Sequence, residues 1–278
     1  MEQDLVGRRV AVVGATGGIG TAVVEELLQR GATVLAAGRD LGQLEKLRRG
    51  VIIPVVLDVG RSDSGDELAA AAAEHMGGLD ALINAVGSIG PIGPTRSIDP
   101  EAMLENFRLG PIAALRLIQS CADFLDASHT PSVVVFSGGG ATDVFPRYSS
   151  YALEKTAMVR LVENLAAEEP RWKVNAVAPG FVATSIHDAT LAAGSELVGD
   201  DYFAKTEEGL AGKAVSASHA AELCAFLVSA ASDGISGRLI SAVWDPWRDA
   251  SPDSALRRSG SYGRLRRIDD QWFRAVER

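Results

Sequence analysis

Tyr151 and Lys155 are two side chains whose types and spacing would allow them to do chemistry together. Residues four apart lie on one face of a helix, so a phenol and an ammonium group could share a site. A phenol with its ordinary pKa of about 10 is a poor acid–base catalyst at neutral pH, but a nearby cation favours the phenolate and lowers that pKa. The pair therefore predicts proton transfer by Tyr151, with Lys155 adjusting its acidity.

A glycine-rich turn follows a short apolar run near the start of the chain. After Val10-Ala11-Val12-Val13, the turn contains Gly14, Thr16, Gly17, Gly18, Ile19 and Gly20. Glycines let the backbone approach a pyrophosphate, and the N-terminus of the following helix supplies N–H donors and partial positive charge. The turn therefore predicts a dinucleotide site.

The elements that must position these residues are short apolar strands that alternate with helical segments. This alternation indicates βαβ units and a parallel sheet. Seven strands are predicted, at residues 9–13, 33–37, 51–57, 81–84, 132–137, 173–178 and 239–241. Helical periodicity predicts helices at 20–29, 64–75, 111–125 and 150–169. Residues 185–213 and the tail after Asp249 fall outside this rhythm.

The second predicted strand ends in Gly38, Arg39 and Asp40. An acidic residue at this tip would accept from the adenosine 2′-hydroxyl of NAD, whereas an Arg nearby accommodates the 2′-phosphate of NADP. Arg39 favours NADP(H), although Asp40 close by could weaken that preference, so NAD(H) stays open.

Together these motifs resemble the short-chain dehydrogenase/reductase family, in its compact branch, over roughly residues 6–245. The spacing of Gly14, Gly18 and Gly20 is similar to the family fingerprint. Gly14, Gly17 and Gly20 also fit the longer sugar epimerase branch, but the later motifs and short chain favour the compact one. The resemblance implies a three-layer α/β Rossmann fold, with helices on both faces of a doubly wound, mostly parallel, seven-stranded sheet.

Further segments resemble the cofactor site of that family. Asp58-Val59 is similar to its adenine-contacting Asp, and Asn84-Ala85-Val86-Gly87 to its Asn-Asn-Ala-Gly motif, with Ala85 in place of the second Asn. Pro179-Gly180-Phe181-Val182-Ala183-Thr184 resembles the Pro-Gly segment whose Thr contacts the nicotinamide side. In the same register Gly38 stands where an NAD-selecting acid would be. The resemblance also implies that Tyr151 and Lys155 contact the cofactor, with Lys155 on the nicotinamide ribose.

Two further catalytic groups are expected from the resemblance. Ser137 would donate to the substrate oxygen, but its spacing to Tyr151 is one residue longer than usual and would align Gly138; Ser149 or Ser150 could otherwise serve. Asn106 would bend a helix and anchor a water-mediated proton relay. Alignment on Gly110-Pro111 without a gap would instead place Phe107 there.

The composition limits the partners. The net charge of −9 disfavours binding to nucleic acid or anionic membranes. Neither a secretion signal nor an apolar run of the roughly 20 residues that cross a bilayer is evident, which predicts a cytoplasmic protein. The two cysteines and four histidines show no metal-ligand spacing, so we expect no metal.

The expected protein is one catalytic domain over residues 1–250, with a substrate lid at 185–213 and a basic extension at 251–278. The extension carries seven Arg and four acids, which suggests docking on the acidic body or on a partner subunit. The expected activity is NADP(H)-dependent hydride transfer between nicotinamide and a small carbonyl or secondary alcohol, as in ketoreductases and alcohol dehydrogenases. The alternatives are a catalytically impaired, nicotinamide-binding regulatory or scaffold protein and, less favoured, a sugar epimerase or dehydratase. The resemblance also implies a homodimer or homotetramer, paired through residues 111–125 and 150–169.

Overall fold

The structure is a computed structural model that describes residues 3–47, 51–249, 251 and 253–266. It contains a seven-stranded sheet with the order β3-β2-β1-β4-β5-β6-β7, in which all neighbours run parallel. The strands are β1 Arg9–Val13, β2 Thr33–Gly38, β3 Ile52–Val56, β4 Ala81–Asn84, β5 Ser132–Phe136, β6 Lys173–Ala178 and β7 Arg238–Ser241. The Rossmann fold and the seven predicted strands are confirmed.

Helices cover both faces of this sheet. They are α1 Gly18–Gln29, α2 Leu41–Lys46, α3 Ser64–Met76, α4 Pro100–Phe107, α5 Ala113–Ser120, α6 Ala122–Ala127, α7 Ser149–Glu168, α8 Asp188–Val198, α9 Asp200–Glu208, α10 Ala217–Val228 and α11 Ala255–Arg258. Alternate strand residues point to opposite faces, so Val10 and Val12 pack into the core under α1 and α10, while Ala11 and Val13 pack into the core under α3, α5 and α7. None of the helices in the described ranges combines the length and the apolar character that a membrane span needs.

The predicted helix at 111–125 is wrong as a continuous element. Arg108–Ile112 forms a π-helical turn after α4, and Cys121 separates α5 from α6. Pro111 lies inside the π turn and has no N–H to donate to the preceding turn. A π turn holds one more residue than an α turn, so it takes up an insertion.

The segment expected to form a substrate lid, residues 185–213 and hereafter called the lid segment, is more regular than its composition suggested. It forms α8 and α9, followed by a π-helical turn at Gly209–Lys213. Gly199 joins the two helices with φ of +93°, a conformation that favours glycine. The segment therefore changes direction between two short helices and reaches over the carboxyl ends of the strands.

The described part of the tail docks on the body of the same chain. The Arg238 guanidinium donates to the main-chain oxygens of Tyr262 and Ser259, both at 2.7 Å. Leu239 N donates to Gly263 O at 2.6 Å, and Leu256 is fully buried. The basic residues from Arg267 onward and Trp272 lie outside the described residues.

Candidate active site

The glycine-rich turn is closed tightly at the carboxyl end of β1. Gly14 has φ of +82°, and a Cβ atom there would lie 3.0 Å from Ala85 C and Val86 N. A Cβ atom on Gly20 would lie 2.0 Å from Gly14 O. Gly17 precedes the first residue of α1, so the N–H groups of that helix point out of the turn. This cradle fits the pyrophosphate of a dinucleotide.

The Pro-Gly segment after β6 approaches the same turn. A Cβ atom on Gly18 would lie 2.7 Å from Thr184 Cγ2. Val182 in the same segment is buried, and Ile19 packs against the core beneath the turn. Pro179 and Gly180 line the cavity that also contains Tyr151. The structure therefore brings together two motifs that are far apart in the chain.

At the tip of β2, the three residues that bear on cofactor choice have different surroundings. Gly38 is buried, and a Cβ atom there would lie 3.2 Å from Thr16 Oγ1. Arg39 is exposed. Asp40 is also exposed, and its carboxylate accepts from Gln43 N at 3.2 Å as the N-cap of α2. Asp40 thus has a role in helix capping.

Asp58 and Asn84 each hold the loop that follows their strand. Asp58 is exposed and accepts from Gly60 N at 3.0 Å, next to buried Val59. Asn84 is buried and accepts from Val86 N at 3.1 Å. That loop leads to Gly87, where a Cβ atom would lie 3.7 Å from Lys155 Nζ. The loop after β4 therefore connects the glycine-rich turn with Lys155.

Tyr151 and Lys155 lie one turn apart at the start of α7. Lys155 Nζ is 5.5 Å from the centre of the Tyr151 ring. Lys155 is only 3% exposed, and its ammonium group donates to Phe136 O at 3.4 Å and pairs with Glu154 at 3.2 Å. The Lys155 charge is therefore held inside the protein at the end of β5.

The Tyr151 hydroxyl lies against the backbone of the loop after β5. A Cβ atom on Gly138 would lie 2.6 Å from this oxygen. Burial raises the pKa of Tyr151 above its ordinary value, and Glu154 and Tyr202 add to the rise. This environment keeps the hydroxyl protonated, and the direction is opposite to the lowering of the pKa that was expected from Lys155 alone.

Ser137 and its alternatives are all engaged in hydrogen bonds. Ser137 Oγ donates to Lys155 O at 3.1 Å. Ser149 shares a short hydrogen bond with Thr95, and Ser150 accepts from Asn106. Among the described residues none of these hydroxyls is hydrogen-bonded to Tyr151, and no described contact tests the expected donation by Ser137 to a substrate oxygen.

Asn106 lies in the last turn of α4, directly before the π-helical turn. It is buried, and its Nδ2 donates to Ser150 Oγ at 3.2 Å. Within the described part of the chain its Oδ1 has no hydrogen-bond partner. The π-helical turn Arg108–Ile112, which contains Gly110, begins two residues after Asn106. Asn106 thus keeps a buried position beside α7.

A cavity of about 920 Å³ opens between the loop after β5 and the lid segment. Ser137 and Tyr151 lie in its wall, and Tyr202 of α9 lines it as well. The Tyr148 ring stacks on Phe145 with centroids 4.5 Å apart, and its hydroxyl donates to Thr190 of α8 at 2.9 Å. Aromatic rings thus form much of the wall opposite the sheet.

Charged lid residues border this cavity. Asp200, Asp201 and Lys205 are in its lining. His187 also lines it, stacked on Phe181 with centroids 4.1 Å apart, and burial lowers the pKa of its imidazole. No group of His, Cys, Asp and Glu in the described ranges could hold a metal ion.

Sequence reasoning missed Glu154 and Gly110. Glu154 is 1% exposed, and a Cβ atom on Gly110 would lie 2.3 Å from Glu154 Oε1. An amphipathic pattern predicts that a Glu faces solvent and a Leu faces the core. Here the order is reversed, because Glu154 is buried and the neighbouring Leu153 is 51% exposed. The available signal was the position of Glu154 between Tyr151 and Lys155.

Comparison with known proteins agrees with this fold. A family model described as enoyl-(acyl carrier protein) reductase matches residues 14–242. L-xylulose reductase from Homo sapiens is 32% identical over 195 residues, which cover 68% of this chain and 78% of the relative. A tropinone reductase homolog from Arabidopsis thaliana is 32% identical over 254 residues, or 87% of this chain and 94% of the relative.

Solved structures show the same architecture. A short-chain dehydrogenase/reductase from Saccharomyces cerevisiae superposes with a TM-score of 0.80 at 23% identity, over 86% of this chain and 97% of the other. A Beutenbergia cavernae protein is described as an NAD(P)-dependent gluconate 5-dehydrogenase with NADP bound at low occupancy. It has a TM-score of 0.75 at 26% identity, over 87% of this chain and 97% of the other.

The matches define the class of protein, an oxidoreductase with a Rossmann fold. Within that class, the chain belongs to the short-chain dehydrogenase/reductase family.

Proposed function

We propose that the protein transfers hydride reversibly between NADP(H) and a small carbonyl or secondary alcohol, with Tyr151 as the general acid and base. The observation that carries this proposal is the Tyr151 hydroxyl in the wall of the cavity, with Lys155 Nζ 5.5 Å from its ring and a glycine-rich cradle on the same sheet edge. When bound, the cofactor supplies or accepts the hydride.

Each nearby group has a part in this proposal. Tyr151 gives its proton to the carbonyl oxygen in reduction and takes it back from the alcohol in oxidation. Lys155 holds the cofactor ribose and adjusts the acidity of Tyr151. Buried Asn106, whose Oδ1 has no partner in the described residues, anchors the water that returns a proton. Ser137 steadies the first turns of α7 through Lys155 O.

The preference for NADP(H) is supported by charges at the tip of β2. Arg39 is exposed there, where the 2′-phosphate would lie. Asp40, the residue that could oppose a phosphate, instead caps α2. The Beutenbergia cavernae relative has NADP bound. We therefore favour NADP(H) over NAD(H).

Reductase activity on a carbonyl is supported by the names of two relatives, L-xylulose reductase and a tropinone reductase homolog. A cavity of about 920 Å³ has the size of small-molecule pockets. No structural observation favours a catalytically impaired regulatory or scaffold protein.

We also propose that two or four copies associate through the face formed by α5 and α7. Three apolar side chains near this face are exposed, Leu104 at 55%, Ile112 at 41% and Leu153 at 51%. Gel filtration with light scattering would measure the number of copies, and a monomer at working concentration would contradict this.

The central test is Tyr151→Phe, with Tyr262→Phe as a matched control in the tail. We expect Tyr151→Phe to lower kcat at least about a hundredfold on a panel of ketones, because the proton donor is lost. NADPH binding, followed by fluorescence titration, should stay close to that of the original protein. Tyr262→Phe should keep its activity. Undiminished turnover by Tyr151→Phe would overturn the proposed role.

A further inference from the structure

A buried carboxylate lies within the Tyr151–Lys155 turn of α7. Glu154 is only 1% exposed, a level of burial at which a small neutral side chain would avoid the cost of a charge. A carboxylate removed from water is costly unless a charge and hydrogen bonds compensate it. Glu154 therefore calls for a physical explanation.

Its compensation comes from Lys155. Glu154 Oε2 lies 3.2 Å from Lys155 Nζ, and the ammonium group also donates to Oε1 at 3.5 Å. Both side chains are almost fully buried, at 2% and 3% exposure. Water screens such a pair weakly, so each charge strongly affects the other.

The π-helical turn provides the space for this carboxylate. A Cβ atom on Gly110 would lie 2.3 Å from Glu154 Oε1 and 2.7 Å from its Cγ. Glycine inside a helix is unfavourable by about 1 kcal/mol relative to alanine. The absence of a side chain at Gly110 thus makes room for the buried Glu154 carboxylate, at the cost of a weaker helix position.

Three groups contact Tyr151 or affect its acidity directly, whereas other titratable residues line the same cavity, among them Asp143, Arg147, His187, Asp200, Asp201 and Lys205. Glu154 and Lys155 come from its own helix, and Tyr202 comes from α9. The loop after β5 presents the backbone of Gly138, and Phe145 presents an uncharged ring. Lys155 is the one cation among the three groups with a direct effect, and Glu154 counters its charge.

We propose that Glu154 is a positioning residue that offsets the Lys155 charge, keeps the Tyr151 hydroxyl protonated and so favours carbonyl reduction over alcohol oxidation. This inference rests on the proposed function. In reduction the carbonyl carbon gains a hydride from the reduced nicotinamide, its oxygen gains the Tyr151 proton, and the phenolate regains a proton from water. Oxidation must begin from the phenolate, which Glu154 disfavours.

The test follows the titration of Tyr151 by NMR in the full chain, with its tyrosines labelled with ¹³C at Cζ and NADP⁺ added. The chain has only four tyrosines, so the spectrum of Tyr151→Phe assigns the signal. The variants are Glu154→Gln, which keeps the shape without the charge, and Glu154→Asp, which draws the carboxylate back from Lys155. Glu163→Gln is the matched control, because Glu163 is also buried on α7 but contacts Leu265 N in the tail.

We expect Glu154→Gln to lower the Tyr151 titration midpoint by about one pH unit or more. Glu154→Asp should give a smaller shift in the same direction, which keeps the test informative if Glu154→Gln does not fold. Glu163→Gln should leave the midpoint unchanged. The proposal is overturned if the Tyr151 titration midpoint is the same in the Glu154 variants and the original chain. It is also overturned if Tyr151 titrates in none of these proteins while they are folded.

Kinetics provide the second measurement. With a secondary alcohol and NADP⁺, the rise of kcat with pH should move to lower pH in Glu154→Gln. The ratio of kcat for alcohol oxidation to kcat for ketone reduction, each measured with saturating substrates at neutral pH, should increase. An unchanged ratio would contradict the inferred preference for reduction. The two proposals can fail separately. If no ketone or alcohol is turned over but the Tyr151 titration still shifts in the Glu154 variants, the proposed function is refuted and the effect of Glu154 on Tyr151 is supported.

Discussion

The Ser137 hydroxyl donates to the main-chain oxygen of Lys155 at 3.1 Å, and this bond fastens the end of β5 to the first turns of α7. The next residue, Gly138, is the one whose backbone lies against the Tyr151 hydroxyl. If the Ser137 hydroxyl mainly holds these two elements together, its removal should affect stability more than kcat. If it stabilises a substrate oxygen, its removal should mainly lower kcat.

We expect Ser137→Ala to lower kcat by roughly tenfold or less, far less than Tyr151→Phe, because its hydroxyl is engaged with Lys155. Loss of a buried hydrogen bond should reduce the free energy of unfolding by about 1 kcal/mol. Steady-state kinetics with NADPH and urea unfolding would measure both effects. A loss of activity as large as that of Tyr151→Phe would show that Ser137 acts on the substrate.

Gly18 and Thr184 are predicted to depend on each other. In Gly18→Ala the new methyl group would lie 2.7 Å from Thr184 Cγ2, so the Pro-Gly segment must move away from the glycine-rich turn. We expect a loss of about 1–3 kcal/mol in stability and weaker NADPH binding. Thr184→Ser removes that methyl group, and the double variant should recover much of the affinity in a fluorescence titration. Additive losses would contradict the proposed contact.

Arg39→Ala should raise the Kd for NADPH by about tenfold or more, because charge-assisted bonds to a phosphate would be lost. The Kd for NADH should change little. Arg258→Ala, which removes an exposed Arg from the tail, is the matched control. Equal weakening of both cofactors in Arg39→Ala would argue against a 2′-phosphate site.

The described tail is predicted to stabilise the folded chain. Removal of residues 251–278 would take away buried Leu256 and leave the Arg238 guanidinium without its two carbonyl partners. We expect the free energy of unfolding to fall by at least about 3 kcal/mol. Removal of residues 267–278 alone spares these contacts and serves as the control. Equal Tm values for the full chain and the longer deletion would contradict this role.

The Asp80 ion pair predicts an acid-sensitive contribution to stability. Burial raises the pKa of Asp80, but hydrogen bonds from Arg9 and Ser128 outweigh it and bring the pKa to about 2. Because this pKa lies below its ordinary value, the stabilisation is present above about pH 4 and is lost as the pH falls toward 2. Asp80→Asn should destabilise by on the order of 1–2 kcal/mol at pH 7, a figure reduced for solvent screening at Arg9, whose side chain is 32% exposed.

Unfolding at several pH values would test this prediction. The difference between Asp80→Asn and the original chain should shrink steadily below pH about 4. Asp66→Asn, which loses a surface bond from Ser120, should differ little at any pH. A difference for Asp80→Asn that does not depend on pH would refute the assigned ion pair.

The sequence predicted the sheet well because its strands are short apolar runs that end at polar or glycine-rich turns. Every predicted strand is present, with bounds that differ by at most one residue at either end. The helices were harder to predict. Apolar periodicity continues through Pro111 and Cys121, so it could not show the π turn or the break between α5 and α6.

The candidate site was predicted in part for a similar reason. Motif spacing located Tyr151, Lys155 and the glycine-rich turn, since these positions depend on local geometry. The surroundings of Asn106 depend on the extra residue in the π turn, and those of Glu154 on a glycine 44 positions away. Contacts between distant segments of this kind leave no periodic signal in the sequence.

Both outer strands of the sheet have protected edges. On β7, Leu239 N donates to Gly263 O and Ser241 N donates to Asp245 Oδ2 at 2.7 Å. On β3, Pro54 has no N–H to offer. A strand from another molecule would find few free donors at either end of the sheet, so the fold resists the edge-to-edge growth that leads to aggregation.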